Sequence, residues 1–305
     1  MDNISRLSPA MDSTHASVLD LPDRLEALTR ACSDDLISSF GLDGLRRGRT
    51  ALEIFTRPPA RWLAKQVAAY DGIVGESGLG AGGAWALKRM ARRVEVEGAE
   101  GVRREGPVLL VSNHPGLADA VALFSAIPRE DLRVVAAERP FLAALPNTSR
   151  RLITVPEDSP GRSAMVRSAA RHLRSGGAVL TFPGGRIEPD PAVLPGAVEA
   201  LERWSASVDL FARLVPDLAV VPVIVSGVLS RTALRNPLTR IRRRRSDREW
   251  LAATFQMLVP ALRNVTTRIE FGVPICVEEG DRVSPAALEE TRRLISRTQE
   301  GRQSP

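Results

Sequence analysis

Hydrophobic and polar residues fall along this chain in blocks whose period changes. Short apolar runs stand at Val94–Glu97, Val108–Ser112, Arg133–Ala137, Leu152–Val155, Ala178–Phe182, Val220–Ser226 and Arg268–Phe271. Each is bounded by Gly, Pro or charged residues, and each predicts a strand. Between several of them the spacing becomes helical. The clearest case is Ser163–Arg174, with Val166, Ala169, Ala170 and Leu173 on one face and Gly176-Gly177 as the stop. Strands alternating with helices predict an α/β fold: a single domain, 94–305, with a largely parallel mixed sheet flanked by helices. In such sheets, sites form where strands end and loops open.

The pattern ahead of that domain differs. Residues 1–20 are polar and are expected to form a flexible tail. Residues 21–93 predict an N-terminal helical appendage. Leu21, Leu25 and Leu28, then Leu36, Ile37 and Phe40, carry helical spacing, and Pro58-Pro59 closes this part. From Ala60 a helix is expected with Leu63, Val67, Tyr70 and Val74 on one stripe and Trp62 beside it. A Gly-rich break, Gly75 to Gly83, separates it from a second, basic helix bearing Trp85, Leu87, Lys88, Arg89, Met90, Arg92 and Arg93. Two short helices with Trp, Arg and Lys suit a membrane-surface anchor, and they equally suit packing on the main domain.

Composition narrows the class. The chain has 305 residues, 44% hydrophobic and 26% charged, and no run approaches the ~18–20 apolar residues of a membrane span. No apolar signal core stands at the N-terminus. The two cysteines, Cys32 and Cys276, exclude a disulfide framework, and no Cys/His cluster has zinc spacing, so no metal is expected. These features predict a cytoplasmic setting. The net charge of +6 is carried almost wholly by Arg; Lys occurs only at 65 and 88. Arg suits phosphate groups or an anionic membrane face, and it equally reflects a general bias in composition.

The candidate chemistry begins at the end of one predicted strand, where Ser112-Asn113-His114-Pro115-Gly116 leads to Asp119 and a helix-like segment. His and Asp five positions apart at a strand-to-helix turn can meet, the carboxylate holding one imidazole nitrogen while the other faces a substrate. That pair can act as a general base towards a hydroxyl. His15 and Asp20 share the spacing, yet they lie in the polar tail with no strand before them. His172 sits inside a predicted helix with Gly177 at that offset. A second element, Phe182-Pro183-Gly184-Gly185-Arg186-Ile187-Glu188, runs from a strand into a tight turn whose amides can face an oxyanion or phosphate. Arg186 can pair with a phosphate there, or with Glu188 in solvent.

In this order the two elements resemble the glycerolipid acyltransferase superfamily, of the lysophosphatidic acid acyltransferase type. Asn113, His114 and Asp119 match its Asn-His, four residues, Asp signature. Phe182, Pro183 and Gly185 match Phe-Pro-Glu-Gly-Thr-Arg, and Val221-Pro222-Val223 matches its later hydrophobic strand. The resemblance covers roughly Val94 to Ile275. Gly184 replaces the usual Glu and Arg186 the usual Thr. Pro-Gly-Gly followed by Glu also looks like the diacylglycerol acyltransferase branch. For the second signature, Arg150, Arg151 and Arg162 are the candidates.

The resemblance implies an O-acyltransferase that moves a fatty acyl group from acyl-CoA or acyl carrier protein to a hydroxyl of a glycerolipid such as a lysophospholipid. It implies His114 as base and Asp119 as its partner. Substrate contacts would come from Asn113, Gly116, Phe182, Pro183, Gly184, Gly185, Arg186, Glu188 and Arg151. No cofactor is implied beyond the acyl donor. The implied partners are a lipid acceptor and a membrane surface, at the inner face of the membrane. Two other outcomes stay open: transfer to a non-phosphorylated acceptor, and a catalytically silent membrane-surface protein of the same fold.

Two further patterns point elsewhere. Gly78-Leu79-Gly80-Ala81-Gly82-Gly83 fits G-x-G-x-x-G, but no strand precedes it, so dinucleotide binding is not expected. Arg240 with Arg242 to Arg245 forms a charge run without aromatic interleaving, and no nucleic-acid partner is expected.

Overall fold

The computed structural model describes residues 21–45, 48–116, 118–155, 159–277 and 282–300. All seven expected strands form: β1 (Arg93–Glu97), β2 (Val108–Ser112), β3 (Arg133–Ala137), β4 (Leu152–Val155), β5 (Ala178–Thr181), β6 (Ala219–Ser226) and β7 (Thr266–Phe271). Phe182 falls just beyond β5 rather than inside it. A two-residue strand, β8 (Ile275–Cys276), is too short for any alternation to reveal.

The strands make one mixed sheet in the order β1-β7-β6-β2-β5-β3-β4, with β8 on β6. β2 to β6 run parallel to one another, and β7 and β8 run antiparallel to β6. Pro222 is tolerated in the central strand β6 because its neighbour is interrupted there. β7 pairs with Val223 onward and β8 with Ala219-Val220, so Pro222 faces the gap between them.

Both faces of the central strands are covered, which is why they read as continuous apolar runs. On one face Val108, Leu110, Leu180, Val221 and Val223 pack with Leu123 and Phe124 of a helix at Asp119–Ala126 (called α3 below). On the other, Leu109, Val111, Val179 and Val220 pack with Ala169, Ala170 and Leu173 of the helix Ser159–Arg174 and with Phe211.

Two helices precede the sheet, α1 (Leu21–Ser39) and α2 (Arg49–Met90). Neither Pro58-Pro59 nor the Gly-rich stretch ends α2, contrary to the pattern. The break narrows to one residue, Gly78, whose φ of 83 and ψ of 173 bend the helix sharply. A Cβ on Gly82 would lie 2.4 Å from Val74. In a straight helix those two residues stand about 12 Å apart along the axis, so the two halves of α2 fold towards each other. A Cβ on Gly83 would meet the Val121 carbonyl at 2.6 Å, so this glycine lets α2 lie against α3. The G-x-G-x-x-G stretch is therefore a helix bend and a close helix contact.

Asp71 ties the first half of α2 to α1 and to the segment before β4. It is fully buried and accepts hydrogen bonds from Arg24, from the Asn147 side chain and backbone, and from the Thr148 backbone and hydroxyl. Before the bend, Ala60 and Ala64 pack with Leu28, Leu36 and Leu145. After it, Leu79 and Leu87 join the core of the sheet. The tail with His15 and Asp20 lies outside the described residues.

Candidate active site

Because β2 and β5 are parallel neighbours, with Val111 beside Thr181, the turns that follow them emerge together at one edge of the sheet. This edge carries His114 and the Pro183-Gly184-Gly185 turn, at the place where α/β sheets hold ligands. His114 Nδ1 and Asp119 Oδ2 are 2.6 Å apart. Asp119 is 1% exposed, and its carboxylate also accepts the Gly116 N–H at 2.9 Å and the Ala120 N–H at 2.6 Å. With two backbone N–H groups already donating to it, the carboxylate acts as an acceptor, and this assigns the imidazole proton to Nδ1. Nε2 then carries the lone pair, and it has no partner among the described residues.

The His114 side chain is 31% exposed, enough to meet a substrate. The Phe182 ring lies beside it, 4.7 Å between centroids. Gly116 turns the chain with φ 94, a conformation that favours glycine. Burial pulls the imidazole pKa down. The Asp119 hydrogen bond and the charges of Asp119 and Glu188 outweigh it, so the pKa stands above its ordinary value.

Behind the pair stands a second carboxylate. Glu188 is buried; Oε1 accepts the Trp204 Nε1–H at 2.7 Å and Oε2 the His114 backbone N–H at 3.2 Å. Its own N–H donates to the His114 carbonyl at 2.8 Å. The two turns are thus tied backbone to backbone and backbone to side chain. A Cβ on Gly184 would fall 2.0 Å from Glu188 Oε1. The carboxylate that the resemblance places at position 184 reaches the same space here from position 188. Burial raises the Glu188 pKa, and the hydrogen bonds from Trp204 and His114 oppose that rise.

The other expected site residues divide clearly. Gly184, Gly185 and Arg186 stand at the His114 edge, and Gly185 donates to the Phe182 carbonyl to close the turn. Arg186 is exposed and has no partner among the described residues, so it does not pair with Glu188. Asn113 points inward, Oδ1 accepting the Val225 N–H and Nδ2 donating to the Val225 carbonyl; it continues the β2–β6 ladder as a brace. Arg151 is not brought to this site. It precedes β4, at the opposite edge of the parallel sheet, and its guanidinium donates to the Glu130 carbonyl. Arg150 lies beside it, and the Arg162 side chain lies outside those described. His172 Nε2–H donates to the Asp131 carbonyl at 2.8 Å and makes no contact with Asp119.

Sequence reasoning missed Trp204 and Asp190. Asp190 is buried and accepts four backbone N–H groups, from Ala192, Gly227, Val228 and Leu229. It joins the segment after the Gly-Gly turn to the chain leaving β6. The run Glu188-Pro189-Asp190-Pro191 was the only signal, since prolines bracket an acid that lacks a charged neighbour in sequence. Among the described residues, no three His, Cys, Asp or Glu side chains gather around a point that could hold a metal ion.

Residues 93–226 match the family model described as Acyltransferase. No curated protein matches the chain. Among solved structures, a 1-acyl-sn-glycerophosphate (LPA) acyltransferase, PlsC, from Thermotoga maritima aligns over 93% of this chain and 97% of its own. The identity is 14% and the TM-score 0.43. The segment that matches the acyltransferase model holds His114, Asp119, the Gly-Gly turn, Glu188 and Trp204.

Proposed function

We propose that this chain is an acyltransferase that moves a fatty acyl group from acyl-CoA or acyl carrier protein to a hydroxyl of a lysophospholipid or similar glycerolipid, with His114 as general base. The observation that carries the reading is the 2.6 Å contact between His114 Nδ1 and buried Asp119, which leaves Nε2 unpartnered at the ligand-binding edge of the sheet. Nε2 takes the proton of the acceptor hydroxyl as its oxygen attacks the thioester carbonyl. The C–O bond forms, the C–S bond breaks, and the imidazolium returns its proton to the leaving thiolate. Asp119 stabilises the imidazolium and holds its orientation. Phe182 fixes the ring from the side. Arg186, exposed and without a partner, is the cation suited to the acceptor's phosphate.

The lipid substrate calls for a membrane-surface partner, and α2 supplies a suitable face. Phe55 is 78% exposed and Ile54 65%, and Trp62 follows Phe55 after two turns on the same stripe, with Arg61 and Lys65 nearby. No described helix is long and apolar enough to cross a membrane. Contact at the surface, on the inner face, is the arrangement proposed.

The test is thioester consumption by purified protein with acyl-CoA and lysophospholipid, with mass spectrometry of the lipid product. His114→Ala should lower turnover by about 10²–10⁴-fold with the fold retained. Wild-type turnover in that folded variant would overturn the reading.

A further inference from the structure

We propose that a second, basic cleft at the same edge of the sheet binds the phosphate groups of a substrate, separately from Arg186. The cleft has a volume of ≈ 550 Å³ and lies between the end of α2 and the segment 260–264 before β7. Lys88, Arg89, Arg92 and Arg263 line it. Among the described residues none of these four cations pairs with a carboxylate, whereas Arg93 next in sequence pairs with Glu95.

Three of the cations are held in place by uncharged groups. The Arg89 guanidinium sits 3.6 Å above the Trp85 ring and donates to the Trp85 carbonyl at 3.0 Å. Arg92 donates to Asn264 Oδ1 at 3.1 Å. Arg263 donates to the Gln256 and Met257 carbonyls, and burial lowers its pKa. Lys88 is exposed with no partner at all among the described residues. Three cations ordered without anions, with Lys88 free beside them, form a receptor suited to a multiply charged anion.

The topology ties the cleft to the reaction. β7 is antiparallel to β6, with Arg268 beside Ser226, so the start of β7 lies at the edge where β6 ends. The Arg92 and Arg93 N–H groups donate to the Val265 carbonyl, which fixes the end of α2 to that edge. Counting across β2, β6, β7 and β1 at ~4.8 Å per strand places the cleft about 10–15 Å along the edge from the His114 turn. The proposal rests on the acyl-transfer reading for its ligands, because that reaction supplies two phosphate-bearing molecules. These are the donor, whose phosphates lie at the far end of a long flexible arm from the thioester, and the anionic lipid of the surface.

The experiment uses the full chain and two probes. One is coenzyme A, which binds without reacting, followed by calorimetry. The other is vesicles of phosphatidylcholine with and without phosphatidylglycerol, followed by sedimentation. The charge-reversal pair Lys88→Glu/Arg92→Glu should weaken at least one probe by about tenfold or more. The pair Arg167→Glu/Arg171→Glu makes the same change of net charge on a distant exposed helix and should leave both probes within about twofold. Loss of coenzyme A binding assigns the cleft to the donor; loss of vesicle binding alone assigns it to a lipid headgroup. Unchanged affinity for both probes, or equal loss in the distant pair, overturns the proposal. If the reversal pair fails to fold, Lys88→Gln/Arg92→Gln takes its place under the same criteria. Binding by His114→Ala separates the two readings: that variant should bind both probes like the native chain while failing to turn over.

Discussion

Gly184 offers a test of how closely the catalytic turns are built. Its φ lies outside the left-handed region, so alanine is allowed by the backbone. The obstacle is the carboxylate of Glu188, whose Oε1 stands 2.0 Å from the new methyl position, with Cδ at 3.0 Å and the Trp204 ring at 3.5 Å. Gly184→Ala must therefore push Oε1 away and break its 2.7 Å bond to the Trp204 indole. A hydrogen bond to a charged group is worth about 1.5–3 kcal/mol, and the partly buried indole N–H loses its acceptor. We expect a loss of about 2 kcal/mol, or a Tm lower by about 3 °C in a chain of this size. Turnover should fall as well, because Glu188 also holds the His114 backbone N–H. A double-mutant cycle isolates the cause. Once Glu188→Ala has removed the carboxylate, the methyl at 184 has room, and the two costs should fall short of their sum by more than about 1 kcal/mol. Thermal unfolding and steady-state rates measure both quantities. If Gly184→Ala matches the native protein in Tm and rate, or if the two substitutions add, the carboxylate does not occupy this space in solution.

Other substitutions probe the remaining parts. In the native protein kcat/KM should rise with pH through the His114 pKa, above the ordinary histidine value, because only the neutral ring is a base. Asp119→Asn removes the hydrogen bond and charge that raise it and leaves burial, which lowers it, so the inflexion should move to lower pH and the plateau fall by about 10²–10⁴-fold. The same linkage governs stability. The contribution of the charged pair is present in full below the unfolded-state histidine pKa and is lost as pH rises through the raised folded value; the Asn variant should lose that pH dependence of Tm. Arg186→Ala should weaken binding of a phosphorylated acceptor by about 1.5–3 kcal/mol and Arg186→Lys recover part of it; equal affinity in all three proteins would favour a neutral acceptor. Gly83→Ala sets a methyl 2.6 Å from the Val121 carbonyl, and about 1–3 kcal/mol of stability should be lost; unfolding by urea measures it.

The central strands β2, β5 and β6 were legible because they are buried on both faces and therefore read as uninterrupted apolar runs between breakers. The pair His114 and Asp119 was legible for a related reason: strand, turn and helix follow one another locally, so spacing alone nearly sets their contact. What remained hidden depends on encounters distant in sequence. Glu188 looked like a solvent partner for Arg186, yet its direction is decided by Trp204 and by the empty side of Gly184. Arg151 was placed by motif order, but a chain returning from β3 must cross the sheet before β4 begins, which carries it to the other edge. The glycines of α2 signalled a break. In a helix that meets another helix and bends on itself, one glycine breaks and its neighbours pack.

The cage around Asp190 bears on the order in which the candidate site is assembled. Its four amides come from Ala192 and from Gly227, Val228 and Leu229, beyond the far end of β6. The segment carrying Glu188 and the Gly-Gly turn therefore reaches its final shape only after a long loop has closed and β6 has docked beside β2. Helices and local turns form on faster timescales than such closures. During refolding, helical signal should return early and catalytic power late. A nascent chain released before β6 emerges would hold His114 and Asp119 side by side without the frame that turns them into a site.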